Sequence, residues 1–419
     1  MNQTKDRRRF FLYSIGLAFV LFSLFSGALW NPLAFLEGLK RIVVFPDFLL
    51  VDYVEIGGLS AAFFNAGVLM ILFTWITSLL NLQVTGLMIA SVFTVGGFAL
   101  FGKNLFNVWP ILIGVYLYSL YKKEPFSRYI YISYFGTAIS PLVTQIAFHF
   151  PFTGFKAILF SYFVGIVVGF FLPSLAMHFL TAHKGYNLYN VGFTCGMVGM
   201  IFAAFFRVYR YEMLPQRFWS SGNNLVLSIF LFCVFGAQVF LGWWLSSKTF
   251  RKYSKLLRHS GKLATDFVLL EGFETTLTNM GILGILSVVY VLLVRSQLNG
   301  PTIGGIMTVV GFGAFGKHIK NVLPILIGVT LCGLTNAYAL GEPNNVLAAL
   351  FGTTLAPIAG EFGFLWGVIA GFVHRAVVNS SAFMHGGLNL YNNGFAGGLV
   401  AMILVPIILA LKKGENNNG

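Results

Sequence analysis

An all-α integral membrane protein of two inverted-topology repeats, each with about seven transmembrane or partly re-entrant helices, is the fold class this sequence predicts. Three observations predict it: an apolar composition, an internal duplication, and loop charges that alternate between the two copies. Of the 419 residues, 57% are hydrophobic and only 10% are charged, with a mean hydropathy of +0.81. A soluble domain is charged at about a quarter of its positions, so this balance belongs in a bilayer, where charges are costly and apolar side chains are not. The same figures exclude solenoids, disordered chains and nucleic-acid binders. A formal charge of +14 in such a chain reports basic cytoplasmic loops rather than an acidic partner. Cys195, Cys233 and Cys332 lie in apolar segments without metal spacing and read as small core residues.

The duplication is direct. Residues 98–115 (FALFGKNLFNVWPILIGV) match 312–329 (FGAFGKHIKNVLPILIGV) at 12 of 18 positions, at an offset of 214. At that offset Leu12 onward aligns with Val226 onward, and Asn65-Ala66-Gly67 with Asn279-Met280-Gly281. Further on, FGTAISP (135–141) matches FGTTLAP (351–357), and HKGYNLYNVGFTCG (183–196) matches HGGLNLYNNGFAGG (385–398), now at an offset of 202. The change of offset places a longer loop in the first copy, near Pro151 to Phe160.

Taken in order, the first segment spans roughly 10–29 behind the basic stretch Arg7-Arg8-Arg9. It is long enough to cross a core of about 30 Å, and it recurs mid-chain, so it reads as a span rather than a cleaved signal. The second, 58–80, carries Asn65-x-Gly67. The third, 84–101, ends in Phe-Gly-Lys, and the fourth, 107–121, opens on Asn107 and Pro110. The fifth, 129–148, is interrupted at Thr137 and Pro141. The sixth, 156–181, follows the longer loop, and the seventh, 187–206, opens on Asn-Leu-Tyr-Asn. Copy two repeats them from near 224, 267, 300, 321, 345, 363 and 389. The chain thus divides into a cytoplasmic N-terminus (1–9), repeat one (10–206), a linker (207–223), repeat two (224–411) and a cytoplasmic C-terminus (412–419).

An odd number of crossings makes the second copy enter the membrane from the opposite side. The positive-inside rule agrees: Lys122, Lys123 and Arg128 follow the fourth segment, whereas the twin loop Ala337 to Asn345 has no basic residue. Lys248, Arg251, Lys252, Lys255, Arg258 and Lys262 likewise fall inside. Arg207, Arg210 and Arg217 run against the rule, because the linker should be external.

Inverted repeats place sites near their pseudo-two-fold axis, where broken helices meet, so polar residues present in both copies are the candidates. The leading pair is Lys103 and Lys317, each in Phe-Gly-Lys, followed by Asn107/Asn321 and Pro110/Pro324. Glycine permits a backbone break, asparagine can cap the next helix, and proline suits its first turn. A lysine at a helix N-terminus suits an anion or a carbonyl dipole; the competing reading is snorkelling to an interface. The second constellation is H-x-G-x-N-L-Y-N-x-G-F, with Asn187 and Asn190 in copy one and Asn389 and Asn392 in copy two. These amides either meet a polar solute or serve a loop-to-helix entry with close helix packing. Asymmetry marks a third candidate: Gln145 corresponds to Glu361, which sits in an apolar context and could carry a coupling proton or pair with Arg375 or His374. Asp52 and Asp266 read as interfacial.

The paired F-G-K-x-x-x-N-V-x-P-I-L-I-G-V and N-L-Y-N-x-G-F blocks resemble a bacterial family of multipass membrane proteins whose domain of unknown function occurs twice per chain. A fainter likeness is to the urea transporters, whose G-x-x-G-F/Y-N-G-x-L-V-G segment is similar to LYNNGFAGGLVA (390–401). The count of seven plus seven resembles the fold of uracil, bicarbonate and sulfate transporters, without their signature motifs. No nucleotide-binding, metallopeptidase or nucleophile motif occurs in a supporting context.

The expectation is therefore a bacterial cytoplasmic-membrane transporter, not an enzyme, with both termini cytoplasmic, no cofactor, no metal and no nucleic-acid partner. It would move a small polar or anionic solute by ion-coupled alternating access. The alternatives are a passive facilitator of the urea-channel type and a membrane-embedded enzyme acting on lipid through His183 and His385. A homodimer or homotrimer would suit any of these.

Overall fold

The computed structural model describes residues 2–150, 154–211, 217–246, 248–335 and 339–417. Parts of several expected features therefore lie outside the described residues: residues 151–153 of the longer loop, 212–216 of the linker, 336–338 before the fifth segment of copy two, and residues 1, 418 and 419 of the termini.

Among the described residues the chain is helical in ten twinned elements. In repeat one these are α1 (Asn2–Ser23, continued by a π-turn Leu24–Ala28), α2 (Pro32–Val44), α3 (Tyr53–Gly57), α4 (Leu59–Leu79), α5 (Gly86–Phe98), α6 (Trp109–Lys122), α7 (Ile130–Gly136), α8 (Pro141–Phe148), α9 (Phe155–His183) and α10 (Asn190–Val208). Repeat two follows with α11 (Asn224–Trp244), α12 (Thr249–Leu256), α13 (Phe267–Leu270), α14 (Phe273–Leu293), α15 (Gly300–Phe312), α16 (Ile319–Thr335), α17 (Pro343–Gly352), α18 (Ala356–Phe362), α19 (Phe364–Met384) and α20 (Asn392–Asn417). Each element of the first set has its counterpart in the same place of the second. Among the described residues, eight helices are long and apolar enough to cross a membrane, the broken α17–α18 stretch counting as one. The chain is a membrane protein.

Local chemistry explains most boundaries. Asn31 caps α2 by accepting from the Ala34 N–H at 3.1 Å, with Pro32 at the first helical position. Asn299 and Thr302 form a reciprocal capping box on α15. The fifth segments break as the prolines require: a 3-10 turn, Thr137–Ile139 or Thr353–Leu355, separates the two halves, and Pro141 and Pro357 open the second half. Two elements were absent from the sequence reading. The helices α2 and α12 lie between the first and second spans of each copy, where short mixed segments give too weak an apolar run to count as spans.

Packing follows the same duplication. α1 lies on α4 as α11 lies on α14, and α6 lies on α9 as α16 lies on α19. The repeats meet along two pairs of equivalents, α5 with α15 and α10 with α20. Helices α5 and α15 have 13 residues each, about 20 Å, short of a full crossing. They run antiparallel: a Cβ on Gly86, at the start of α5, would collide with the carbonyl of Ala314 just past α15, and one on Gly300 with the carbonyl of Leu100 just past α5. The carboxylate of Asp266 accepts from the Gly86 N–H at 2.8 Å, and that of Asp52 from the Gly300 N–H at 3.1 Å. Each repeat thus supplies the acid that caps the half-length helix of the other, a favourable charge at a helix N-terminus. This corrects the interfacial reading of both residues; Asp52 is fully buried.

Candidate functional site

The Phe-Gly-Lys turns end the two half-length helices. Gly102 and Gly316 take φ of +97° and +103°, which only glycine adopts without strain, so the chain reverses there. The backbone N–H of Lys103 bonds the Phe98 carbonyl at 3.1 Å, and that of Lys317 the Phe312 carbonyl at 2.9 Å. A second-segment asparagine clamps each turn: Asn65 Nδ2 donates to the carbonyls of Ala99 (2.7 Å) and Lys103 (2.8 Å), and Asn279 Nδ2 to those of Gly313 (2.7 Å) and Lys317 (2.8 Å). Asn65→Ala strips two buried carbonyls of their donor and is expected to destabilise the protein by about 1–3 kcal/mol. Detergent-solubilised thermal unfolding, compared with the exposed Ser221→Ala, checks it.

Neither lysine snorkels. Both are fully buried, and each reaches across the repeat boundary. Lys103 Nζ donates to the Tyr391 hydroxyl at 2.6 Å, and Lys317 Nζ to the Tyr189 hydroxyl at 2.5 Å and to Thr353 Oγ1 at 2.7 Å. Each also lies over aromatic faces, Lys103 at 4.6 Å from the Tyr391 ring centre and 5.3 Å from Phe98, Lys317 at 4.5 Å from Tyr189 and 5.3 Å from Phe312. Among the described residues, no carboxylate lies within ion-pair distance of either.

The asparagines that follow the lysines do not cap the next helix. Asn107 Oδ1 accepts from the Asn104 N–H (2.9 Å) while its Nδ2 donates back to Gly102 O (3.0 Å); Asn321 repeats this with the His318 N–H (2.9 Å) and Gly316 O (2.9 Å). A turn that reverses on a left-handed glycine leaves its own N–H and C=O groups unpaired, and these take the amide before the helix can. Pro324 also lies inside α16 rather than in its first turn, because α16 starts earlier than α6.

The Asn-Leu-Tyr-Asn blocks hold the repeats together. Asn187 Nδ2 donates to the Gly394 carbonyl (2.9 Å) and Asn389 Nδ2 to that of Gly192 (3.0 Å). Leu188 N–H bonds Thr354 O (3.0 Å) and Leu390 N–H bonds Ala138 O (2.9 Å), so each block docks on the broken fifth segment of the other copy. Asn190 Oδ1 pairs with His183 Nε2 (2.8 Å) and Asn392 Oδ1 with His385 Nε2 (2.9 Å), which ties both histidines to structural amides. Of the four, Asn190 and Asn392 line cavities while Asn187 and Asn389 serve the interface.

Glu361 does not sit within an apolar enclosure. It is exposed near the end of α18; His374 Nε2 bonds Asn393 Oδ1 (3.0 Å) and Arg375 Nε donates to Asn345 Oδ1 (2.5 Å). Gly363, two residues later and at a φ of +99°, ends α18.

Two cavities flank the meeting point of the repeats, with volumes of about 1010 Å³ and 290 Å³. Their walls are built from equivalent residues. Leu49, Leu50, Phe101, Leu347 and Ala382 line the larger; their counterparts Leu263, Ala264, Phe315, Tyr131 and Leu180 line the smaller. The smaller also contains both members of central pairs: Thr94 with Thr308, Phe98 with Phe312, Phe135 with Phe351, Leu188 with Leu390, and Tyr189 with Tyr391. Phe351, Leu390 and Asn393 are walls of both cavities. Arg207, Arg210 and Arg217, the three that break the loop-charge pattern, line the larger cavity, and Arg207 donates to the Phe383 carbonyl at its rim.

Sequence reasoning missed two parts of this arrangement. Tyr189 and Tyr391 were visible as duplicated residues, but their lysine partners are 128 and 288 residues away. Asp47, described below, faces a glycine in the second copy, a difference that direct comparison of positions 47 and 261 would have shown.

No curated protein and no solved structure matches the chain. A family model matches it twice, over residues 31–208 and 245–410, which takes in both lysine turns, both Asn-Leu-Tyr-Asn blocks and both half-length helices. The chain belongs to the family described as protein of unknown function (DUF1576), with two copies of the domain.

Proposed function

We propose that the protein is a secondary transporter working by alternating access, and that its solute is a small organic anion with an apolar body. The observation that carries this is the pair of unequal cavities built from equivalent residues. Inverted repeats that adopt two conformations leave one vestibule wide and its twin narrow, and exchanging the conformations reverses the access. The antiparallel crossing of α5 and α15 supports that inversion.

Chemistry supports the solute class. The central cavity is walled by Phe98, Phe135, Phe312, Phe351, Leu188 and Leu390, and its polar side chains are Tyr131, Tyr189, Tyr391, Thr94, Thr308, Asn190 and Asn393. Thr94 and Thr308 spend their hydroxyl protons on helix carbonyls (2.6 and 2.7 Å). The tyrosine hydroxyls accept from lysine, so their own protons remain available to an acceptor in the cavity, and a donor chain polarised from an ammonium strengthens each link. Two such donors on an apolar floor, with three arginines at the approach, suit a carboxylate better than a sugar or a cation.

The test pairs charge against shape. Purified protein is heated in detergent with acetate, isobutyrate or benzoate, each matched by its amide. A carboxylate that binds the native state raises the melting temperature, by the equivalent of about 2.7 kcal/mol at a hundred times Kd, while its amide does not. The shift is lost in Tyr189→Phe and Tyr391→Phe. Equal shifts for acid and amide, or none for any acid, sink the anion reading. Counterflow in proteoliposomes then separates a carrier from a channel.

A further inference from the structure

We infer that Asp47 is a proton-binding site, present in one repeat alone, whose occupancy controls the turn that carries Lys103. This deepens the carrier reading and rests on it for its purpose.

Asp47 lies between α2 and α3 and is fully buried. Its carboxylate accepts from the Tyr53 hydroxyl at 2.8 Å, Asn107 Nδ2 at 3.0 Å, Thr144 Oγ1 at 3.0 Å and Asn104 Nδ2 at 3.5 Å. The amide orientations are forced: Asn104 Oδ1 accepts from the N–H groups of Phe106 (2.9 Å) and Asn107 (3.1 Å), and Asn107 Oδ1 from that of Asn104 (2.9 Å). Both NH₂ groups therefore face the acid. A metal cation needs lone pairs, and N–H donors offer none, so this shell fits a carboxylate that exchanges a proton.

Among the described residues, no cation neutralises it. Tyr53 is the titratable side chain that bonds it; Lys103 on the adjoining turn directs its Nζ to Tyr391, and Glu37, Lys40 and Arg41 on α2, Glu55 on α3 and His149 after α8 are exposed. A buried, uncompensated carboxylate is costly, and a proton removes the charge. Thr144 has the Pro141 carbonyl at 3.2 Å as a second acceptor, so its hydroxyl can turn away when the acid is protonated.

The consequence reaches the lysine. Asn104 and Asn107 follow the reversal at Gly102, whose carbonyl Asn107 Nδ2 also holds, and their bonds to a carboxylate are charge-assisted, roughly twice as strong as neutral ones. Protonation weakens them, which frees the segment that holds Lys103 against Tyr391. Repeat two has no such control: Gly261 stands for Asp47, Phe267 for Tyr53, His318 for Asn104 and Gly360 for Thr144, and His318 Nε2 bonds the His259 carbonyl at 2.8 Å. A proton site in one copy alone biases one of two otherwise equivalent conformations, which is what coupling requires.

The full chain, reconstituted in phosphatidylethanolamine–phosphatidylglycerol vesicles, is taken from about pH 8 to about pH 5, spanning the range in which buried carboxylates titrate. Infrared difference spectra read the protonated-carboxyl carbonyl band, and hydrogen exchange, with every rate divided by the base-catalysed intrinsic rate at its pH, reads the amides of residues 101–107. A band absent from Asp47→Asn but kept in Glu361→Gln is expected, with exchange of 101–107 several-fold faster at the lower pH and fast at both pH values in Asp47→Asn. Should Asp47→Asn not fold, Tyr53→Phe, which installs the residue found in repeat two, must move the band's midpoint to higher pH by removing a donor to the charged form. A band that survives Asp47→Asn, no band at all, an unmoved midpoint in Tyr53→Phe, or pH-independent exchange overturns the inference. The spectra report proton binding whether or not an anion is bound, so failure of the anion reading is seen separately in the carboxylate screen.

Discussion

Lys103→Met and Lys317→Met are each expected to remove the carboxylate-specific thermal shift, a loss of about thirtyfold or more in affinity, while leaving the unliganded protein as stable as before or more so. The affinity loss follows from deleting one partner of a desolvated charge interaction, on the scale of 2–5 kcal/mol. The stability change has the opposite sign for a physical reason. Each lysine is buried beside phenylalanine and tyrosine rings with no carboxylate of the described residues in reach, and replacing a desolvated charge by an apolar side chain of similar length is often neutral or stabilising by about 1–4 kcal/mol. A residue kept for packing would show both effects in the same direction. One cost must be separated out: Lys103→Met deprives the Tyr391 hydroxyl of its donor, so Lys103→Met/Tyr391→Phe should be the more stable of the two. Lys317→Met deprives two hydroxyls, Tyr189 and Thr353, and should gain less. An unchanged shift with benzoate in either single variant would remove the lysines from the site.

Gly86→Ala and Gly300→Ala are expected to be among the most damaging single-methyl changes in the protein. The added Cβ would fall within the van der Waals radius of a backbone carbonyl, Ala314 O in one case and Leu100 O in the other, and near the carboxylate of the capping Asp266 or Asp52. Backbone on both sides cannot rotate away, so the half-length helices must separate, at a cost of about 1–3 kcal/mol or more for overpacking. The small cavity should lose its ligand as well, since Thr94, Phe98, Thr308 and Phe312 ride on those helices. Gly236→Ala supplies the control. On α11, with nothing within 4 Å of its would-be Cβ, it should stabilise by up to about 1 kcal/mol through helix propensity alone. Unfolding in detergent ranks the three, and parity between Gly86→Ala and Gly236→Ala would contradict the packing described.

The broken turns show how far local sequence carried and where it stopped. Gly102 and Gly316 were readable as reversals because only glycine takes that φ cheaply, and Pro141 and Pro357 as breaks because proline removes a donor. The role of Asn107 and Asn321 was not readable, since an asparagine before a helix serves a cap or a turn equally well, and the orphaned groups of the glycine reversal decide between them. Glu361 misled for a related reason: hydropathy around a residue reports the segment and not the exposure of one side chain within it.

What the amino-acid sequence determined by itself was the class of the protein, its duplication and the identity of the duplicated polar residues. Those properties rest on composition, on periods of a few residues and on the chemistry of single turns, all of which act between neighbours in the chain. Only the tertiary structure decided that Lys103 meets Tyr391 and Lys317 meets Tyr189, that Asp52 and Asp266 cap helices of the opposite repeat, that three linker arginines line the larger cavity, and that Asp47 rather than Glu361 is the buried acid of one copy. These pairings depend on how closely α5 approaches α15 and α10 approaches α20, which is set by glycine contacts and side-chain volumes summed over both repeats, a long-range balance that no single stretch of sequence contains.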